Sequence, residues 1–170
     1  MLPYLQHYAP SIQAQVRHAL EEKRLKSYLL SSYPTPHTIQ SDKALYTYVT
    51  QQKRAFIKGG KPLEKVCYDS KIRSLHTALG THTRVSRQQG GKLKAKREIR
   101  ISTLFKSTPQ AFLEMIVAHE LAHLKVQEHS KAFYQLATHI CPNYHQYEFD
   151  LRVYLTYQSM EKENLWSRNI

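Results

Sequence analysis

The chain has little cysteine and little glycine, with two cysteines and five glycines among 170 residues. Cys67 and Cys141 are too few for a disulfide framework, and their positions match no metal-binding cysteine pair. The scarcity of glycine, together with twelve tyrosines, favours helices and packed aromatic contacts over a loop-rich chain. We therefore expect a chain rich in helices with reduced thiols, not one held together by disulfides.

Long apolar runs are missing as well. No stretch of about 18 apolar residues occurs, so no segment is expected to span a membrane. The first fifteen residues lack a basic region followed by an apolar one, so they do not resemble a secretory signal. Apolar residues make up 41% and charged residues 22% of the chain, which is typical of a globular domain. The simplest prediction is a cytoplasmic protein with no membrane partner.

Acidic residues are few compared with basic ones. There are 13 aspartates and glutamates against 25 lysines and arginines, which gives a formal net charge of +12. Such a surplus attracts polyanions, so nucleic acid and nucleotide phosphates are admissible partners. Residues 87–97 are rich in lysine and arginine, and Gly90-Gly91 among them predicts a hairpin with a basic tip. This hairpin is either an ordinary solvated loop or the wall of a groove that holds an anionic or extended substrate.

The order of predicted elements indicates an α+β fold. Apolar periodicity and capping signals predict helices over residues 11–30, from 42 to the glycines at 59–60, from Pro109 through His123, over 130–140 and over 144–161. Alternation and β-branched residues predict strands over 81–86 and 98–102, and residues 65–68 are expected to form a short strand. The chain is thus predicted to divide into an N-terminal helical extension, residues 1–60, and a catalytic part, residues 61–170.

The run His119-Glu120-Leu121-Ala122-His123 carries the clearest chemical signal. Two histidines four apart on a helix project from one face and can bind one metal ion, which for zinc means nitrogen ligands at about 2.0–2.1 Å. Glu120 points about 100° away around the helix, so it can reach a metal-bound water without ligating the ion. The pattern predicts a zinc hydrolase in which Glu120 is the general base.

A catalytic zinc needs a third protein ligand, for which His129 is the best candidate. On an unbroken helix it would lie about 9 Å along the axis from His123, too far to share an ion. We therefore expect the helix to end between Leu124 and Glu128 and a new one to begin near Ser130, with the chain folding back. The alternative third ligands are His139, His145, Glu148 and Asp150.

The residues around this run resemble the YgjP-like family of metal-dependent hydrolases, which is related to the WLM and SprT-like zinc metallopeptidases. The similarity lies in the segments 119–125, His129-Ser130-Lys131-Ala132-Phe133-Tyr134, and Cys141-Pro142-Asn143-Tyr144. It implies a zincin-like fold, in which a small sheet packs on the active-site helix. It also implies zinc held by His119, His123 and His129, with Glu120 catalytic.

Three functions from different classes follow. The first expectation is a zinc metallopeptidase acting on a peptide or protein substrate. The second is a hydrolase of another bond, such as a nucleoside triphosphate pyrophosphohydrolase. The resemblance allows this activity, since some members of the family are described that way, and the basic hairpin would suit phosphates. The third is a metal-stabilised nucleic-acid-binding module, which Glu120 disfavours because a purely structural metal site needs no base. Tyr144, His145 and Arg84 are weaker candidates for stabilising an oxyanion.

Overall fold

The computed structural model describes residues 2–73 and 97–167, and the backbone of residues 87–89 and 92–94. Within these residues the chain forms a mixed α+β fold. The helices are α1 (Pro10–Glu21), α2 (Leu25–Ser32), α3 (Asp42–Phe56), α4 (Gln110–His123), α5 (Lys131–Ile140) and α6 (Tyr144–Glu161). The strands are β1 (Lys65–Asp69), β2 (Arg87–Gln89), β3 (Lys92–Lys94) and β4 (Glu98–Ser102). Short 3-10 segments cover Pro3–Leu5 and Thr103–Ser107.

The strands form two small pairs. β1 and β4 are parallel, with Val66 opposite Ile99, and these apolar side chains are buried. β2 and β3 are antiparallel, with Gln89 opposite Lys92, which confirms the predicted hairpin. The strand predicted over residues 81–86 lies outside the described residues.

Serine side chains begin two of the helices as the sequence predicts. The Ser41 hydroxyl accepts a hydrogen bond from the Ala44 amide at 3.1 Å, and the Ser130 hydroxyl accepts one from the Phe133 amide at 3.4 Å. Such caps satisfy backbone amides that have no partner within the first turn of a helix. The cap at Ser130 fixes where the chain re-enters a helix after His129.

The first predicted helix is in fact two helices. Lys23 adopts a left-handed conformation with φ 57°, which ends α1. The amide of Arg24 then donates to the Ala19 carbonyl at 2.8 Å, and the amide of Lys23 donates to the Leu20 carbonyl at 3.0 Å. This is the Schellman arrangement, which usually has glycine at the left-handed position. A lysine there gives no warning in the sequence, so the prediction of one helix over 11–30 is wrong.

Helix α4 lies in the middle of the core. Ten of its fourteen residues are buried, including both histidines. It begins at Gln110, one residue later than predicted, and no side chain caps it. The Thr108 hydroxyl before it donates instead to the Phe105 carbonyl at 2.9 Å. A helix packed on all sides holds its side chains at fixed positions, which suits a site that must converge on one point.

The N-terminal helices share this core. Leu29 and Leu45 are fully buried in the same apolar cluster as Phe112 of α4. The Trp166 indole N–H donates to the Tyr33 carbonyl at 2.7 Å, which ties the C-terminal segment to the end of α2. The division into an extension (1–60) and a catalytic part (61–170) stays a prediction. Among the described helices, none has the length and apolarity needed to cross a membrane.

Candidate metal centre

Two histidines of α4 face each other across one helical turn. The Nε2 atoms of His119 and His123 lie 3.0 Å apart, and both side chains are buried. Their ring centroids are 4.6 Å apart. Two imidazoles bound to one tetrahedral zinc ion at 2.0–2.1 Å would have their nitrogens about 3.3 Å apart. The observed separation therefore fits a shared ion with only a small outward shift.

Hydrogen bonds on the far side of each ring fix the orientation of this pair. The Nδ1 of His123 lies 3.0 Å from the Val126 carbonyl. A carbonyl can only accept, so Nδ1 carries the proton and Nε2 presents its lone pair towards His119. The Nδ1 of His119 lies 2.7 Å from the Tyr144 hydroxyl, the first residue of α6. Histidines that bind metals are characteristically held through the other ring nitrogen in this way.

His129 comes to the same place because the chain turns back after α4. The helix ends at His123, and α5 begins at Lys131, as the sequence predicts. One ring nitrogen from each of His119, His123 and His129 lies within 4.8 Å of the others. Within the described parts of the chain this is the single cluster of three or more metal-ligating side chains.

Phe133 forms the apolar floor under the three imidazoles. Its ring centroid lies 5.0 Å from His119, 4.4 Å from His123 and 4.9 Å from His129, and it is fully buried. The cap at Ser130 places Phe133 on the inner face of α5. An apolar floor limits water access and holds the rings in place. We name His119, His123, His129, Phe133 and Tyr144 the imidazole cluster.

Glu120 is the remaining residue of the predicted catalytic set. Its side chain is half-buried, and desolvation by burial raises its pKa to about 8. Among the described residues, no hydrogen bond or ion pair holds its carboxyl group. A cation bound nearby would stabilise the carboxylate and bring this pKa down again. The group is therefore suited to gain and lose a proton beside a metal site.

The alternative third ligands all lie outside the cluster. His139 packs edge-on against Phe56 at 5.6 Å, and His145 packs against Tyr134 at 5.3 Å. Glu148 pairs with Arg152, and Asp150 accepts hydrogen bonds from Tyr28 of α2 and from Tyr33, which follows that helix. These four side chains already serve packing or pairing roles.

The weaker oxyanion candidates have different outcomes. Tyr144 is fully buried and holds His119, a role that the sequence analysis missed. Its position at the start of α6, after the turn at Pro142, could have suggested contact with the preceding helices. His145 is exposed beside Tyr134. Arg84 lies outside the described residues.

Comparison with known proteins agrees with this geometry. The sequence model described as "YgjP-like, metallopeptidase domain" matches residues 63–154. A protein of Escherichia coli (strain K12) named "UTP pyrophosphatase" is 51% identical over 164 residues, which cover 96% of this chain and 98% of that protein. No solved structure matches. The family match and the imidazole cluster together indicate a metal-binding site.

The name of the E. coli relative corrects one expectation. A zinc metallopeptidase acting on a peptide bond was the first prediction from the motif, and it is wrong: a relative this similar over nearly its full length is named for pyrophosphatase activity. The motif predicts how water is activated, and this chemistry is the same for peptide and phosphate substrates. The finding supports an enzyme of the hydrolase class, and it favours the alternative of a non-peptide bond.

Proposed function

Because the chain belongs to the YgjP-like family, we propose that it is a metal-dependent nucleoside triphosphate pyrophosphatase, with UTP as its first candidate substrate. The observation that carries this proposal is the 51% identity, over almost the whole of both chains, to a protein named UTP pyrophosphatase. The imidazole cluster supplies the matching chemistry, since its three ring nitrogens lie within 4.8 Å of one another.

In this proposal His119, His123 and His129 hold one zinc ion in a zincin-like arrangement. Three neutral imidazoles are a donor set that zinc accepts, and they leave a fourth position open. Hard cations such as Mg²⁺ prefer oxygen ligands, and the cluster offers none among its three metal-facing groups. When bound, zinc would lower the pKa of a water molecule and offset negative charge on the substrate's phosphates.

Glu120 acts as the general base. It takes a proton from the attacking water as the new oxygen–phosphorus bond forms at the α-phosphorus. The bond from that phosphorus to the bridging oxygen breaks, and pyrophosphate leaves with the bonding electrons. One UTP and one water thus give UMP and pyrophosphate, and the proton held by Glu120 passes to the leaving group or to solvent.

The charge of the chain favours an anionic substrate. With a formal net charge of +12, the protein attracts triphosphates more strongly than a neutral protein would. The same charge would attract nucleic acid, and a nucleic-acid partner stays a prediction. The cytoplasmic location expected from the sequence also stays a prediction. Flat affinity for DNA between low and moderate salt would argue against the nucleic-acid partner.

The test measures pyrophosphate released from UTP by the zinc-loaded chain, with casein as a peptide substrate for comparison. Glu120→Gln should keep about one zinc per chain and lose about 10²–10⁴-fold in kcat, the usual contribution of a general base. Glu128→Gln is the matched control, because it makes the same chemical change on an exposed side chain of the loop before α5.

Two results would count against the proposal. If wild-type protein carrying one zinc per chain releases no pyrophosphate from any nucleoside triphosphate, the proposed pyrophosphatase activity is wrong. If kcat is equal in wild type and Glu120→Gln, Glu120 is not the general base, although the pyrophosphatase activity itself is still supported.

A further inference from the structure

A half-exposed aromatic surface borders the imidazole cluster on the side of α5 and α6. Tyr134 follows Phe133 on α5, and its ring centroid lies 6.2 Å from His129 and 6.1 Å from Tyr144. Phe133 points into the core, whereas Tyr134 is only partly buried. The ring of His145, an exposed residue of α6, lies 5.3 Å from Tyr134 at an interplanar angle of 39°. We call Tyr134 and His145 the aromatic platform.

The spacing of the two rings decides what kind of surface they make. A flat ring held between them would need them about 7 Å apart, twice the contact distance of two carbon atoms. At 5.3 Å the rings touch each other and leave no room for a third. The platform is therefore a single surface on which a planar group can rest, and not a clamp.

The charges near the platform are balanced. Glu148 and Arg152 of α6 pair with each other at 3.3 Å, and both side chains are largely buried, with 16% and 13% exposure. Burial raises the pKa of Tyr134; Glu148 adds to that rise and Arg152 opposes it, so both charges lie close to this ring. Because the carboxylate is neutralised by its partner, the platform does not repel an anionic ligand as a lone glutamate would.

We propose that the aromatic platform binds the nucleobase of the substrate, with Tyr134 as the main stacking residue. The inference rests on the proposed function, which puts the triphosphate at the imidazole cluster, one ring-to-ring contact away. Nucleobases stack on exposed aromatic side chains largely without regard to sequence, because every base offers a π-face. An aromatic surface beside a site for phosphates matches the two ends of a nucleotide, its planar base and its charged phosphates.

The first experiment compares KM for UTP among variants loaded with zinc. Base stacking on an aromatic residue is usually worth about tenfold or more in affinity, so Tyr134→Ala should raise KM about tenfold while kcat changes less than threefold. Tyr134→Phe keeps the ring and should behave like wild type. Tyr46→Ala is the control for loss of an exposed tyrosine, since Tyr46 lies on α3 with 40% exposure.

Inorganic tripolyphosphate separates the base from the phosphates. Used as a competitive inhibitor of UTP hydrolysis, it should have the same inhibition constant with wild type and Tyr134→Ala, since it has no base to stack. An unchanged KM for UTP in Tyr134→Ala would overturn the platform. So would an equal rise in KM for Tyr134→Phe, because the hydroxyl and not the ring would then be responsible.

A binding measurement keeps the two proposals distinguishable. Calorimetric titration of the metal-free chain with UMP should show affinity about tenfold weaker for Tyr134→Ala. If wild type binds UMP in this way but does not cleave UTP, the platform stands and the pyrophosphatase proposal fails. If wild type cleaves UTP while UMP affinity is equal in both chains, or is absent from both, the pyrophosphatase stands and the platform fails.

Discussion

Helix α6 takes part in two buried polar clusters that differ in their chemistry. Tyr144 at its first residue belongs to the imidazole cluster. Asp150 lies six residues later, about 9 Å along the helix axis. It is 2% exposed and accepts hydrogen bonds from the hydroxyls of Tyr28, at 2.7 Å, and Tyr33, and from the Gln146 amide at 3.2 Å.

The two clusters differ in whether each hydrogen-bond acceptor in them faces a donor from the protein. At Asp150 each contact joins a protein donor to a carboxylate oxygen, so the cluster is complete and fastens α2 to α6. At the imidazole cluster, His123 directs the lone pair of Nε2 at another ring nitrogen 3.0 Å away. Such an approach is favourable only if a positive centre, a proton or a metal ion, lies between the two nitrogens. Buried polar groups in this chain therefore mark a ligand site in one place and a structural fastening in the other.

The largest expected effect comes from removing one imidazole. His119→Ala should weaken zinc binding about a thousandfold or more, since loss of an outer hydrogen bond alone usually costs 10–100-fold. Pyrophosphate release should fall to background, while the circular dichroism of the metal-free chain stays that of wild type. If His119→Ala binds zinc with wild-type affinity, the imidazole cluster has a structural role like the cluster at Asp150 and does not bind the metal.

The next effect should appear in stability and not in metal binding. Asp150→Ala leaves two buried hydroxyls without their acceptor, and we expect the free energy of unfolding to fall by about 3 kcal/mol. Zinc affinity should stay within threefold of wild type. Urea unfolding of the metal-free chain and a zinc titration measure the two quantities separately.

A double variant sharpens this prediction. Adding Tyr33→Phe to Asp150→Ala removes one of the stranded hydroxyls and should restore part of the lost stability. If the double variant is less stable than the single one by the full cost of Tyr33→Phe, the two residues act independently. The cluster at Asp150 would then not be the fastening described here.

The smallest effect tests the residue where α6 meets the metal site. Tyr144→Phe keeps the ring but removes the hydroxyl that holds His119, so zinc affinity should fall about 10–100-fold. Tyr147→Phe, one turn away on the same helix, removes a hydroxyl bonded to Asn143 and should leave zinc affinity unchanged. Equal affinities for wild type and Tyr144→Phe would assign Tyr144 to packing alone.

Much of the fold follows from local signals in the sequence. The serine caps and the proline after Cys141 predict α3, α5 and α6 closely, and alternation predicts β4. The break at Lys23 could not be predicted, because the left-handed residue is not glycine and the apolar periodicity continues across it. Local rules thus fail where a turn is made by an ordinary residue.

The candidate site could be predicted in part. The spacing of His119 and His123 needs only helix geometry, and the reversal that brings in His129 follows from polar residues before Ser130. The support from Tyr144 and Phe133 depends on how α5 and α6 pack on α4, which no local pattern encodes. The bond to be cleaved could not be read from the motif either, because the groups that select a substrate lie outside it.

X-ray absorption at the zinc edge of the chain loaded with one equivalent of Zn²⁺ tests the central claim most directly. The account predicts three imidazole nitrogens at about 2.0–2.1 Å with one further light ligand and no sulfur, and one imidazole fewer in His129→Ala. A sulfur ligand at about 2.3 Å, or an unchanged imidazole count in His129→Ala, would contradict it.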